Sequence, residues 1–524
     1  MTNFVTPYLI MKLKVGVAMF KQYLKKLEGQ GQKTTTPLPK TTHHLTTTLD
    51  ENLAQLKHLY HNSEDLIIKK VTVSGVEVGL VLIEAMVNLD LVSDNYLDGF
   101  LRCPQQLDTP SELVDYLTTN IPIGINLEYF HTFEDCFKFL LSGFVLTFVD
   151  GINYGFCFSA AGFNFRSISE PSSEVNLHGS RESFTEVIRI NLSMVRRRLK
   201  SPDLKFEYMQ IGSKSNTDVC FLYLTDCVDE SLLNQTKQQL KSIKLDTILD
   251  IGYLQPFLEG RPSSIFSNVG ITERPDTMCA KLSEGRIGIL VDGTPNALIL
   301  PYFFIDNFQN FDDYCTQSYY ATYIRLLKYI SFFITILLPG LYVALGTHHP
   351  ELFPHALLYT IVTADLTSTF SLFYQAIFLG IVAEVLREAT LRLPQPMGAG
   401  IGIFGGIVIG DAAVSAGLVG SPMILIITLT LLTSFVIPSL QEPLIILRFL
   451  FIVISGVFGL YGISLGFCVL TLNLCALQSN EYAYLQPLIP LKLAELKDAI
   501  IRISWKKMNH PTEPLSRIDD NKLD

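Results

Sequence analysis

The distribution of charged and apolar residues changes near residue 320. Up to that point the two kinds alternate as in a globular protein, whereas from Tyr329 onward uncharged stretches reach the length that crosses a bilayer. In lipid, backbone polar groups must be paired within the segment, which favours helices. The pattern predicts spans at about 329–346, 399–419, 422–438 and 449–474.

The segment 355–391 is a weaker candidate because it holds Asp365, Glu384, Arg387 and Glu388. Basic residues precede the first span and follow the last, so both ends are expected in the cytoplasm and the number of crossings is expected to be even. Two crossings need about 40 residues, and one would break the parity. We therefore expect a re-entrant or interface-lying helix here.

The first 320 residues predict an α/β domain made of two small subdomains. β-rich runs at Leu66–Val73 and Val76–Ile83 are joined by Ser74-Gly75, a hairpin signal, and helices follow near 94–101 and 110–118. The second unit shows the same order of elements, with strands at Lys205–Ile211 and Val219–Leu224 and a helix at about 230–243.

Two glycine-bounded strings are similar to each other. Gly143 is followed after five residues by Val149-Asp150-Gly151, and Gly285 after five residues by Val291-Asp292-Gly293. Asp-Gly favours tight turns, so both predict hairpins. They indicate duplicated subdomains, paired strands of one sheet, or coincidence.

A further helix is predicted from Ser183, where Ser183-Phe-Thr-Glu186 matches a capping box. Its last turn carries Arg196, Arg197 and Arg198, which suit the helix dipole and are also suited to acidic lipid headgroups or an acidic partner. The expected domains are a variable tail and Thr-rich linker (1–48), α/β subdomain 1 (49–160), α/β subdomain 2 (161–320), a helical multi-pass transmembrane domain (321–480) of about four spans plus the re-entrant or interfacial helix, and a cytoplasmic C-terminal tail (481–524).

The amino-acid composition narrows the classes of function that the chain can have. The 524 residues are 48% hydrophobic and 17% charged, with a net charge of -10, which suits a membrane protein and argues against nucleic-acid binding. Nine scattered cysteines favour a reducing compartment over disulfides or a zinc site. The one glycine motif of nucleotide-binding type, Gly400 to Gly405, lies inside an apolar span. We expect no enzyme activity, catalytic residue, cofactor or metal.

The membrane half carries a strip of glycines at helical spacing, Gly398, Gly402, Gly406 and Gly410. Such strips favour close helix packing, or a helix that moves or lets water reach its backbone. An ion path is a hypothesis for Asp411, Ser415, Thr430, Thr433, Ser434 and Asp365. The alternatives for Asp411 are hydration near an interface or a hydrogen bond between helices.

Glu384, Arg387, Glu388 and Arg392 have the spacing of ion pairs along an amphipathic helix. A solvated or self-paired surface is the simpler interpretation of this set, and a gate is the alternative.

Long strings of the chain resemble the A subunit of the GerA family of spore germination receptors. They include SRESFTEVIRINLSMVRRRLKSPDLKF (180–206), EGRIGILVDGTPNALILP (284–301), IRLLKYISFFITILLPGLYVAL (324–345) and LRLPQPMGAGIGIFGGIVIGDAAVSAGLV (391–419). The similarity runs from about Leu45 to Pro490. The N-terminal 44 residues fall outside it.

The resemblance implies a subunit of a nutrient-responsive complex in the inner membrane of a bacterial endospore. It implies as partners a permease-like B subunit that holds the nutrient and a lipoprotein C subunit. It also implies a homo-oligomer of A subunits that passes ions. A paralogous channel that amplifies ion release without sensing nutrient, and a non-conducting membrane scaffold, are the alternatives.

Overall fold

A computed structural model gives the architecture of the chain. It describes residues 44–84, 86–93, 100, 103, 109–120, 127–160, 162, 171, 174–260, 264–393, 395–479, 482–489 and 498–504. The predicted helix at 94–101 and most of the N-terminal tail lie outside this set. The end of the Thr-rich linker lies inside it, where Thr46 and Asn52 exchange hydrogen bonds of 2.9 and 2.7 Å.

Subdomain 1 is built around an antiparallel sheet of order β1-β2-β4-β5-β3. Its strands are β1 (Leu66–Val73), β2 (Val76–Ile83), β3 (Leu127–Phe130), β4 (Phe144–Val149) and β5 (Gly155–Ser159). The helices are α1 (Leu49–Leu59), α2 (Pro110–Asn120) and α3 (Phe133–Leu140), with a short turn of helix at Leu89–Val92. Apolar clusters cover both faces of the sheet, which explains why β4 is buried almost throughout.

Subdomain 2 repeats this plan in a sheet of order β6-β7-β9-β10-β8. Its strands are β6 (Leu204–Ile211), β7 (Thr217–Leu224), β8 (Gly270–Thr272), β9 (Ile287–Val291) and β10 (Ala297–Leu300). The helices are α4 (Ile188–Arg198), α5 (Glu230–Lys241) and α6 (Pro275–Ser283), with short turns of helix at Gln255–Leu258 and Asp312–Cys315.

The Asp-Gly echo marks a duplication, the first of the three interpretations. The Asp150 carboxylate accepts from the first amide of α1, that of Leu49, at 2.9 Å, and Asp292 accepts in the same way from Ile188 of α4 at 3.1 Å. Each aspartate therefore ties the turn after a central strand to the start of the helix that opens its subdomain.

The predicted capping box is wrong. Helix α4 begins at Ile188, and the Ser183 hydroxyl donates to the Glu273 carbonyl instead. The three arginines lie in the last turn of α4, as the helix-dipole interpretation requires. The alternative of lipid contact is not favoured, because Arg196 is fully buried and Arg197 and Arg198 both pair with Glu182. Ser183 and the three arginines are therefore bound by partners within the α/β domain, and not by a local helix cap or by lipid.

The C-terminal half is helical. Its helices are α7 (Ser318–His348), α8 (His355–Leu366), α9 (Leu372–Arg392), α10 (Gln395–Ser415), α11 (Ser421–Ser434) and α12 (Gln441–Ala476). Among the described residues, Ser318–His348 and Pro438–Ala476 are long and apolar enough to cross a membrane. A short hairpin of β11 (Gln478–Ser479) and β12 (Tyr482–Ala483) follows α12.

Helix α12 reverses direction at Gly459, where φ is +60° and ψ is -143°. Gly466 follows Phe451 by 15 residues, which in a continuous helix would separate them by about 22 Å. A Cβ at Gly466 would instead lie 3.1 Å from the Phe451 ring. The predicted single span at 449–474 is therefore two antiparallel helical segments, because a glycine in a backbone conformation that other residues rarely adopt lets the chain fold back.

The helices run between an end next to the α/β domain, which we call the proximal end, and an opposite, distal end. Helix α7 leaves the proximal end, where Lys328 donates to the Phe308 carbonyl at 3.1 Å. At the distal end His348 lies 3.0 Å from the Gly456 carbonyl. Helix α12 starts beside Asn307, turns at the distal end and returns to the α/β domain.

The segment 355–391 forms two helices and not the single re-entrant or interface-lying helix that was expected. Helix α8 is short, and its C-terminal end lies at the distal end, where the Thr369 amide donates to the Gly417 carbonyl at 2.6 Å. Helix α9 is 21 residues long and runs back towards the proximal end. Of its charged residues, Glu384 and Arg387 pair inside the protein, whereas Glu388 and Arg392 form an exposed pair.

Candidate functional site

Helix α10 carries the glycine strip and Asp411, and most of its described surface is exposed. A Cβ at Gly406 or Gly410 would meet nothing within 4 Å, whereas one at Gly405 would lie 3.0 Å from the Leu386 side chain on α9. Gly398 and Gly402 belong to the same helix, but their surroundings lie outside the described residues. The described part of the strip, Gly406 and Gly410, thus faces away from the neighbouring helix of its own chain.

Asp411 and Ser415 are exposed near the distal end of α10, not at its middle. Asp411 makes no hydrogen bond or ion pair with any other residue that the structure describes. This position favours water or another chain as the neighbour of the carboxylate over a helix-packing hydrogen bond within the chain.

The three candidate hydroxyl residues of α11 are not exposed, unlike Asp411 and Ser415. Thr430 and Ser434 are buried, and their hydroxyls donate to carbonyls of the preceding turn at 2.7 Å. The Thr433 hydroxyl lies 2.9 Å from that of Thr335 on α7. Within one chain, the structure brings Thr433 to the α7–α11 contact, buries Thr430 and Ser434, and leaves Asp411 and Ser415 on the exposed α10 surface.

Asp365 lies at the distal end beside a residue that the sequence analysis missed. The amide nitrogen of Gln375 is 3.3 Å from the Asp365 carboxylate, 2.8 Å from the Ser368 hydroxyl and 2.6 Å from the Phe370 carbonyl. Its amide oxygen accepts from the Gly420 backbone at 2.9 Å. Gln375 is fully buried and connects α8, α9 and the α10–α11 loop. A lone glutamine amid apolar residues was the available signal.

The charges of α9 divide into two groups. Glu388 and Arg392 form an exposed pair at 2.6 Å, whereas Arg387 pairs with a largely buried Glu384 at 2.8 Å. Glu384 also accepts from Arg448 of α12, whose side chain is buried. The predicted span beginning at 449 excluded Arg448, although opposite charges in two apolar segments are a sequence signal for pairing.

One buried ion-pair cluster joins the α/β domain to the helical domain, and a second lies within the α/β domain. Arg325 at the start of α7 pairs with Asp313 at 2.7 Å and with Asp498 of the C-terminal segment at 3.0 Å. Asp306 pairs with Lys281 and Arg286. Burial raises the pKa of Asp306, but the nearby Arg286 guanidinium outweighs it and holds the pKa well below its usual range. Arg325 near the start of α7 is thus paired both with Asp313, which precedes it in the chain, and with Asp498, which follows it.

Similarity to known proteins extends across both the α/β domain and the helical domain. The family model described as "Bacillus/Clostridium GerA spore germination protein" matches residues 54–513. Spore germination protein KA of Bacillus subtilis is 34% identical over 90% of this chain and 87% of that protein. The uncharacterized membrane protein YfkQ of the same species is 34% identical over 95% of each chain.

One solved structure is also similar, the N-terminal domain of the A subunit of the Bacillus megaterium spore germinant receptor GerK3. It is 32% identical, covers 51% of this chain and 99% of that domain, and gives a TM-score of 0.41.

Proposed function

Because the chain belongs to the Bacillus/Clostridium GerA family of spore germination proteins, we propose that it is the membrane-embedded A subunit of a spore nutrient-germinant receptor. In this proposal several copies assemble so that their α10 helices surround an ion path, and nutrient sensing is done by a permease-like B subunit. A lipoprotein C subunit completes the complex in the spore inner membrane.

The course of the chain supports the proposal that the helical domain is embedded in the membrane with both of its ends on the same side. Helix α7 starts at the α/β domain and α12 ends there, so the chain between them makes an even number of passages. We propose six, formed by α7, α9, α10, α11 and the two halves of α12, with α8 at the distal surface. Arg325 and Lys328 at the start of α7 favour the cytoplasmic side for the α/β domain.

The observation that carries the ion-path proposal is the unpartnered α10 surface. Gly406 and Gly410 leave bare backbone beside the exposed carboxylate of Asp411. On insertion scales an ionised aspartate facing lipid costs about 2.5–3.5 kcal/mol at the centre of a membrane helix, and the cost for Asp411 near the distal end of α10 lies below this value. Packing the glycine strip against another copy would turn Asp411 towards a shared interior. A ring of carboxylates there would attract cations.

Cation flux from liposomes that contain the purified protein tests this proposal. Asp411→Asn keeps the size of the side chain and removes its charge, so we expect monovalent cation flux to fall at least fivefold. Glu388→Gln removes an exposed charge of α9 and serves as the matched control, with flux close to that of the unmodified protein. Unchanged flux in Asp411→Asn would contradict the proposed path.

A second candidate, a scaffold whose helices only anchor partner subunits, is favoured by the burial of Thr430 and Ser434, which do not line an open surface. It predicts no cation flux under any gating condition and normal germination of Asp411→Asn spores. Gene deletion distinguishes a paralogous channel from a receptor subunit. Loss of a receptor subunit abolishes the response to particular nutrients, whereas loss of an amplifying channel slows ion release for all of them.

A further inference from the structure

The segment 248–258 of subdomain 2 carries apolar side chains on its outer face as well as on its buried face. Ile248, Ile251, Leu254 and Leu258 are buried in the core cluster below the sheet. On the outer face the side chains of Leu249, Tyr253 and Phe257 are 62%, 43% and 41% exposed, and Asp250 is the one exposed charged residue of the segment. We call Leu249, Tyr253, Pro256 and Phe257 the apolar patch.

An outer face of this composition is unusual for a soluble domain. Surface helices normally place polar residues opposite their buried stripe. Exposed apolar surface costs about 25 cal/mol per Å² relative to burial. Contiguous patches of this kind mark contacts with proteins or with membranes. Tyrosine and phenylalanine on a surface segment are typical of the interfacial layer of a bilayer.

The apolar patch lies close to the point where the last helix returns to the α/β domain. A Cβ at Gly260 would be 2.7 Å from the Gln478 carbonyl, and Gln478 comes two residues after the end of α12. Tyr482, in the β-hairpin after α12, packs in the same core cluster as Leu254 and Leu258. Phe257 is three residues from Gly260 and so within about 10 Å of it.

We propose that the apolar patch docks onto the lipid headgroup layer and orients the α/β domain against the membrane. The headgroup region is about 5–8 Å thick on each side of the hydrocarbon, so a patch anchored next to the exit of α12 can reach it. Lipid suits this position better than a protein partner because the patch lies within about 10 Å of Gly260, which is next to Gln478 just past the end of α12. This inference rests on the membrane placement of α12 proposed above.

Tryptophan quenching in the full-length protein tests the docking. Trp505 is the only tryptophan of the chain and is first replaced by phenylalanine. Phe257→Trp and Tyr253→Trp are then reconstituted separately in phosphatidylcholine nanodiscs with or without brominated acyl chains. Tyr129→Trp, at an exposed edge of subdomain 1, is the matched aqueous control. Leu465→Trp, exposed on α12, is the membrane control.

We expect brominated lipid to reduce the fluorescence at 257 and 253 at least twofold, with less than 1.2-fold change at 129. Quenching at 465 without quenching at 257 and 253 would overturn the docking while leaving the membrane placement of α12 intact. Absence of quenching at 465 would show that the membrane placement itself has failed. Protection of 257 and 253 from both brominated lipid and aqueous acrylamide would identify a protein contact and would also overturn the inference.

Discussion

The guanidinium of Arg196 and the carboxylate of Asp65 form a buried ion pair across the two subdomains, with Nη2 and Oδ2 2.7 Å apart. Arg196 also lies over the rings of Phe206 and Tyr60, at 4.3 and 5.1 Å. Both side chains are at most 3% exposed. The pair and its aromatic cover hold the duplicated units in a fixed relation to each other.

Removing one partner of this pair is expected to destabilise the protein strongly. Arg196→Met leaves the Asp65 carboxylate buried without its charge partner, which costs about 3–5 kcal/mol. Arg392→Met breaks the exposed pair with Glu388 and should cost less than about 1 kcal/mol. Thermal unfolding of the full-length protein in detergent measures both. Equal melting temperatures for the two variants would contradict a structural role for Arg196.

Acid should weaken subdomain 2 through Glu207. Burial raises the pKa of Glu207, but hydrogen bonds from Lys205, Lys237 and Tyr223 outweigh it and lower the pKa to about 2. Because the folded pKa lies below the ordinary value of 4.5, the stabilisation is complete above about pH 4.5 and is lost as the pH falls towards 2. Melting temperatures between pH 6 and pH 3 should therefore fall less steeply for Glu207→Gln than for the unmodified protein, and parallel curves would count against the prediction.

The reversal of α12 at Gly459 can be measured as a distance. Spin labels on Ile446→Cys and on the native Cys475, in a protein otherwise free of cysteine, should be less than about 20 Å apart because both sites lie near the proximal end. A continuous helix would place these residues, 29 positions apart, about 44 Å from each other. A distance near that value would show that α12 does not fold back.

Local sequence patterns predicted the α/β half well because its elements follow short-range rules. The β1–β2 hairpin matches its predicted bounds, since alternating β-rich runs on either side of Ser74-Gly75 leave little choice of register. The capping box predicted at Ser183 does not form, because the Ser183 hydroxyl donates to the distant carbonyl of Glu273. Local patterns carry no information about such a partner.

In the helical half, hydropathy located apolar segments but not their direction. The even number of membrane crossings expected from the flanking basic residues stays a prediction, whereas the helices differ from the predicted spans at two places. One apolar run folds back at Gly459, and the charged α9 is a long helix because Glu384 pairs with Arg448. A hydropathy window that moves along one segment cannot detect an ion pair between two helices.

Assembly of copies should depend on the outward glycine strip. Gly406→Leu adds a side chain where the single chain has open space, so folding should be retained while the oligomer is lost. Gly405→Leu points towards Leu386 of α9 and should instead lower the melting temperature. Mass photometry in detergent, combined with thermal unfolding, separates the two effects. Intact oligomers of Gly406→Leu would exclude the strip as the contact between copies.

The central claim is that α10 helices of several copies enclose a wet path, and chemical block of cation flux tests it most directly. In a cysteine-free protein, Ser415→Cys places a thiol one turn from Asp411, and Tyr461→Cys places one on the exposed surface of α12. We predict that a charged methanethiosulfonate reagent reduces cation flux from liposomes at least fivefold for Ser415→Cys and leaves it unchanged for Tyr461→Cys. Equal flux before and after modification of Ser415→Cys, with the thiol shown to have reacted, would contradict the claim.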